Sequence, residues 1–144
     1  MNLYTVNVKH FTDLSAQEIY EILMLRNQVF VVEQHCPYQD IDGRDEKAFH
    51  VFLQTEEGIR AYLRVMPLTD GRAAIGRVLA VERRKGFATE VLKAGIQTAR
   101  EKFGAKCIYL EAQTYARGLY ERMGFHQCGE EFLEDGIPHI PMEL

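Results

Sequence analysis

Val78-Leu79-Ala80-Val81-Glu82-Arg83-Arg84-Lys85-Gly86-Phe87-Ala88-Thr89 runs from an apolar strand pattern straight into the strongest helical pattern of the chain. In residues 87–103 the positions Ala88, Val91, Leu92, Gly95, Ala99 and Phe103 repeat at helical spacing, and Gly104 stands where a helix terminator belongs. Upstream, residues 73–81 read as a strand after the turn Asp70-Gly71. Downstream, residues 107–112 read as a short strand and residues 114–123 as a second helix. Strand, helix, strand in that order implies a right-handed crossover between parallel strands.

Further out, residues 49–53 and 60–65 flank Glu56-Glu57-Gly58 and form an antiparallel hairpin. Residues 33–45 carry Pro37, Asp42-Gly43 and several acids, and read as an exposed loop with turns. Before that loop, Ile19, Ile22, Leu23, Leu25, Val29 and Phe30 recur on one helical face, capped by Asp13 or Ser15 and ending near Val32. The first eight residues alternate as a strand, and two terminal strand candidates lie around Phe125 and over residues 137–143. The order β-α-β-β-β-α-β-α-β-β predicts a mixed α/β (α+β) fold in a single domain spanning 1–144. Its sheet is mostly antiparallel with a central parallel pair, and helices cover it.

Composition narrows the function classes. The chain has 144 residues, 47% of them hydrophobic and 26% charged, the profile of an ordinary globular domain. The net charge of −4 argues against nucleic acid and anionic membranes as partners. No apolar run approaches the roughly 18 residues of a membrane span, and the first residues lack the pattern of a signal peptide. Cys36, Cys107 and Cys128 are odd in number and form no CxxC pair, which fits a reducing compartment and a cytoplasmic location. The histidines have no HExxH companion, and Asp40-x-Asp42-Gly43 fails the calcium-loop pattern at its later positions, so no metal is expected.

The turn at residues 81–89 is where chemistry is expected. Ligands of such sheets bind outside strand ends beside helix N-termini, where free N–H groups and the helix dipole favour anions. Arg84 and Lys85 beside Gly86 suit a pyrophosphate; the same residues also read as a solvated turn. The P-loop and dinucleotide fingerprints are absent.

Arg83-x-x-Gly86-x-Ala88 resembles the R/Q-x-x-G-x-G/A signature of the GNAT family of N-acetyltransferases, with Ala88 in place of the commoner Gly. The run from Gln113 to Phe125, containing Tyr120-Glu121-Arg122 and Met123-Gly124-Phe125, is similar to the segment that closes the family's cofactor site. Leu25 to Gln34, Cys36-Pro37-Tyr38-Gln39-Asp40 and Glu134-Asp135-Gly136-Ile137-Pro138-His139 resemble its ElaA-type subgroup.

The resemblance implies direct transfer of an acetyl group from acetyl-CoA, bound as cosubstrate, to an amine on a small molecule or peptide. It assigns the cofactor to Leu79, Ala80, Val81, Arg84, Lys85, Gly86, Phe87, Ala88, Thr89, Gln113 and Tyr120, and it makes Tyr120 the general acid. The alternative for Tyr120 is a core aromatic. For the base, Glu111, His50 and His139 are candidates. Glu111 shares a strand face with Tyr109 and Gln113, and its alternative is an ion pair with Arg77, which needs a partner if buried. Arg26, Phe30, Tyr38, His50, Arg77 and His139 are the candidate acceptor-site residues. The acids of residues 33–46 read either as a field steering a cationic amine or as solvated charge. Two other functions fit the pattern: transfer of a longer acyl chain, since Leu25-Arg26 with Val29-Phe30 resembles acyl-homoserine lactone synthases, and a non-catalytic CoA-binding sensor. Exposed strand edges permit a homodimer as well as a monomer.

Overall fold

The computed structural model describes residues 3–82 and 86–144. Eight strands form one sheet: β1 (Thr5–His10), β2 (Phe49–Thr55), β3 (Gly58–Pro67), β4 (Ala73–Ala80), β5 (Ile108–Gln113), β6 (His126–Gln127), β7 (Phe132–Glu134) and β8 (Ile137–Glu143). Their spatial order is β1-β2-β3-β4-β5-β8-β6, with β7 also on β8. Every pairing is antiparallel except β4 with β5. The expected order of elements is found with one strand added. β7 was not expected, and its signal is Asp135-Gly136, a two-residue turn in which both residues have positive φ, 52° and 78°.

Alternation along β2 and β3 divides the core. Val51, Leu53, Ala61, Leu63 and Val65 face helix α2 (Phe87–Phe103), and Phe52 and Tyr62 face helix α1 (Ala16–Arg26). Helix α1 starts at a capping box: Glu18 N–H donates to Ser15 Oγ at 3.1 Å, and Ser15 N–H donates to Glu18 Oε1 at 2.9 Å. Ser15, not Asp13, is therefore the cap. The helix continues to Glu33 as expected, but Asn27–Glu33 is π-helical.

Helix α2 lies across β3 with Gly95 at its closest approach. A Cβ on Gly95 would sit 2.9 Å from Leu63 Cδ1 and 3.2 Å from its Cδ2. Leu63 is fully buried and has nowhere to swing. Gly95→Val is expected to lower stability by about 1–3 kcal/mol through overpacking, read as a lower urea midpoint at unchanged slope. A variant as stable as the parent would show that the helix can lift off β3 freely.

One irregularity sets up the rest of the molecule. Arg64 pairs with Gly76 and Tyr62 with Leu79, so Arg77 and Val78 together face Leu63 alone. This β-bulge puts Arg77 at φ 55° and shifts the alternation of β4. Ile75 faces α2, whereas Leu79, four residues on, faces α1.

Candidate active site

β4 and β5 are paired only at Ala73 with Ile108 and Ala74 with Tyr109. Beyond that, β4 stays on β3 as far as Ala80 and β5 stays on β8 as far as Gln113, so the two strands part and leave a gap. Val81 N–H donates to Arg60 C=O at 2.8 Å, so its amide is turned towards β3. Alternation of backbone groups then turns the N–H and C=O of Ala80 the other way, into the gap. Leu79 lines the α1 side with its side chain. Glu82 anchors the strand end by a 2.6 Å ion pair with Arg60.

The gap opens at the N-terminus of α2. Gly86 caps this helix in the left-handed region at φ 73°, and the first intrahelical bond runs from Glu90 N–H to Gly86 C=O at 3.2 Å. The N–H groups of Phe87, Ala88 and Thr89 precede that bond and have no intrahelical acceptor, leaving a set of donors for an anion. Phe87 turns its side chain into the core. Arg84 and Lys85 lie outside the described residues.

After β5, helix α3 (Arg117–Arg122) carries Tyr120, 7% exposed and packed in the α2-side core, its ring edge-to-face with Phe125 at 6.1 Å. Burial, and after it the neighbouring Tyr115, hold the Tyr120 hydroxyl above its ordinary range, so it is a neutral donor at physiological pH. At the end of β5, Gln113 exchanges hydrogen bonds with Gln34 at 3.2 and 3.3 Å, which ties the end of the π-helical segment to the end of β5.

The acidic loop departs most from expectation. Asp40 and Asp45 are 7% and 8% exposed, and with Asp42 they form a network with Arg26, Arg64 and Arg77. Arg26 is 0% exposed and donates to Asp40 Oδ2 at 3.0 Å, Asp45 Oδ1 at 2.6 Å and Asp40 C=O at 3.0 Å. Arg64 binds both oxygens of Asp42, at 2.9 and 2.6 Å. Arg77 Nε donates to Asp40 Oδ1 at 2.8 Å, and its guanidinium lies over the Tyr38 ring. Tyr38 donates its hydroxyl to the same Asp40 oxygen at 2.9 Å. Three cations on α1, β3 and β4 thus neutralise three acids on one loop, and the loop holds the bulge of β4 in place.

Several assignments change as a result. Arg77 pairs with Asp40 rather than Glu111, whose exposed carboxylate accepts the Tyr109 hydroxyl at 3.0 Å. Arg26 is a strut of the network, without surface for an acceptor to touch. His50 is buried with Nδ1 2.7 Å from Tyr62 OH and Nε2 2.9 Å from Asp45 C=O. Burial pushes its ionisation down, and neither nitrogen is free for a base. Phe30 packs on the α1-side core beside Leu79. Tyr38, Arg77 and His139 retain partial access or an open ring atom on the α1 side of the gap. A separate cavity of about 190 Å³ is lined by Phe11, Leu14, Ile22, Leu23, Ile41 and His50 among others, but takes no residue from β4 or β5.

Comparison with known proteins agrees with this geometry. Residues 11–144 match the family model described as an acetyltransferase (GNAT) domain. A UPF0039 protein of Schizosaccharomyces pombe is 39% identical, with 94% of this chain and 93% of that protein covered. The crystal structure of ElaA from Escherichia coli superposes with a TM-score of 0.91 at 34% identity, covering 98% of this chain and 99% of that one. A Pseudomonas aeruginosa structure described as an acyl-CoA N-acyltransferase gives 0.89 at 36% identity, covering 96% and 98%.

Proposed function

Since the chain belongs to the acetyltransferase (GNAT) domain family, and is thereby an acyl-CoA-dependent N-acyltransferase, we propose that it moves an acetyl group from acetyl-CoA directly to a primary amine. The observation that carries this reading is the parting of β4 from β5 beside the unpartnered amides of α2. That arrangement fits a ligand with a pyrophosphate at one end and a thin arm that enters a sheet. The amides of Phe87, Ala88 and Thr89 would hold the pyrophosphate, and Gly86 admits it closely because the left-handed cap carries no Cβ.

The thioester supplies an activated acyl carbon; the chain supplies its surroundings. In this reading Ala80 N–H, aimed into the gap, donates to the carbonyl oxygen as negative charge grows there. Tyr120 donates a hydrogen bond to the departing sulfur. The proton-accepting wall belongs to β5, β7 and β8, where Glu111, Glu134 and His139 gather. Free cysteines at positions 36, 107 and 128 accord with a cytoplasmic enzyme.

Acetyl-CoA is expected to raise the Tm, since about 100 times the dissociation constant adds roughly 2.7 kcal/mol, several degrees for a chain of this length. Matched titrations with longer acyl-CoAs, dephospho-CoA and ATP distinguish the acyl chain and the nucleotide. A rise with acetyl-CoA and none with ATP supports the reading. A larger rise with long-chain acyl-CoA would replace acetyl by the longer group, and no rise with any CoA would overturn it.

A further inference from the structure

On the α1 side of the sheet, β5 and β8 set Gln113 opposite His139 and Glu111 opposite Pro141. The hairpin turn Asp135-Gly136 folds β7 back so that Glu134 joins them. His139 is 8% exposed, and its ring stacks on Phe132 at 5.8 Å with an interplanar angle of 23°. Nδ1 lies 2.7 Å from the carbonyl oxygen of Ile137. A carbonyl only accepts, so Nδ1 carries the ring proton and the neutral imidazole keeps its lone pair on Nε2. The neighbour of Nε2 is Glu134 Oε2 at 3.9 Å, too far for a direct hydrogen bond.

We propose that His139, through Nε2, takes the proton from the acceptor ammonium, with the Glu134 carboxylate facing the imidazolium that forms. The proposal rests on the transferase reading above, because it concerns the same gap. His50 is excluded by its two engaged nitrogens, and Glu111 by its exposure and its bond to Tyr109. The charged groups around the pair are Glu111 on β5, Glu134 on β7, Asp135 in the turn and Arg77 from β4. Burial and then Glu111 raise the Glu134 carboxyl, and His139 and Arg77 act against them, so these side chains share one electrostatic environment. An imidazolium formed at His139 faces the Glu134 carboxylate, and a cationic acceptor faces the same acids on approach.

The atoms balance. An ammonium gives one proton to Nε2 and its nitrogen lone pair bonds to the acyl carbon. The carbon–sulfur bond breaks, the second N–H proton passes to sulfur, and His139 releases its proton to solvent. The products are an amide, a thiol and one proton.

His139→Asn keeps a donor for the Ile137 carbonyl and removes the basic nitrogen. The probes are butylamine, an ammonium at about pH 7.5, and hydroxylamine, which is a free base there. The variant is expected to lose about 100-fold or more in kcat with butylamine, within the usual range for general bases. It should stay within about threefold with hydroxylamine and keep its KM for acetyl-CoA. Equal loss with both nucleophiles, or no loss with butylamine, overturns the assignment. The ring itself is read independently in 15N-histidine NMR spectra of the parent, with the variant identifying the His139 signals. A protonated Nδ1 and an unprotonated Nε2 are expected, and a proton on Nε2 of the neutral ring refutes the proposal even if neither probe is turned over. Failure of acetyl-CoA to raise the Tm would instead strike the transferase reading.

Discussion

Arg26→Met is expected to destabilise the protein by about 3–5 kcal/mol, the range for breaking a buried ion pair from one side, and to lower Tm by about 10 °C or more. Arg26 is fully buried, and its three donors end on Asp40 and Asp45. Burial acts against its charge, but the field of Tyr62, the hydrogen bond to Asp45 and the fields of Asp40 and Asp45 outweigh that, so the guanidinium stays a cation. Methionine fills much of the volume but leaves three acids facing two arginines. Asp40 Oδ2 loses Arg26, and Asp45 keeps only Arg64 at 3.0 Å. Neutralising the surplus should recover part of the loss, so Arg26→Met with Asp45→Asn is expected to be less destabilised than the sum of the singles. The coupling in a double-mutant cycle should fall in the range of about 0.5–3 kcal/mol. Urea denaturation of the four proteins measures it. A single-variant loss below about 1 kcal/mol would show that water reaches the network.

The same network predicts sensitivity to acid. Burial raises Asp42 and Asp45, but hydrogen bonds from Arg64 to Asp42 and from Arg26 to Asp45 prevail and hold both carboxyls below the usual range. A depressed carboxyl stabilises the fold above its unfolded value of about 4, and that contribution disappears as pH falls towards the folded value. The urea midpoint should therefore fall below about pH 4 in the parent and fall less in the double variant.

Local order was legible in the sequence where one segment carries its own signal. The α2 pattern, Gly104 behind it, the hairpin at Glu56-Glu57-Gly58 and the strand–helix–strand order all depend on residues close in the chain, and each is found. What was not legible depends on partners far apart. Residues 33–46 look solvated because five acids in a short loop usually are. Their neutralising cations lie on α1, β3 and β4, at distances of 14 to 37 residues. A signal existed: Arg64 interrupts Ala61-Tyr62-Leu63-Arg64-Val65 and Arg77 interrupts Ile75-Gly76-Arg77-Val78, so two buried strands demanded acids from somewhere. Spacing alone offered Glu111, and the structure supplies Asp40 and Asp42 instead. The bulge at Arg77 was hidden for a related reason. Its left-handed φ suits Gly, and strain of about 1–2 kcal/mol is offset here by bonds from the guanidinium that no local pattern reveals.

Tyr120→Phe is expected to cut kcat by about 100-fold while leaving acetyl-CoA binding and Tm nearly unchanged. The substitution removes one oxygen. The ring keeps its edge-to-face contact with Phe125 and its place in the α2-side core, so a purely structural Tyr120 predicts little effect on turnover. The magnitude follows from what the hydroxyl can do. With reference values of about 10 for tyrosine and 8.5 for a thiol, complete proton transfer to the leaving sulfur is uphill by roughly 2 kcal/mol. Burial and Tyr115 push Tyr120 higher still and make transfer harder. What remains is a hydrogen bond donated from a dry, fixed position to sulfur as negative charge accumulates on it, an interaction stronger in the transition state than in the ground state. The loss should therefore appear in kcat and in kcat/KM alike, with KM for acetyl-CoA unmoved. Because the ionisation is raised, the parent's kcat should show no alkaline fall from Tyr120 below about pH 10. Unchanged turnover in the variant would return Tyr120 to the core and leave Ala80 N–H as the chain's one named donor to the reacting thioester.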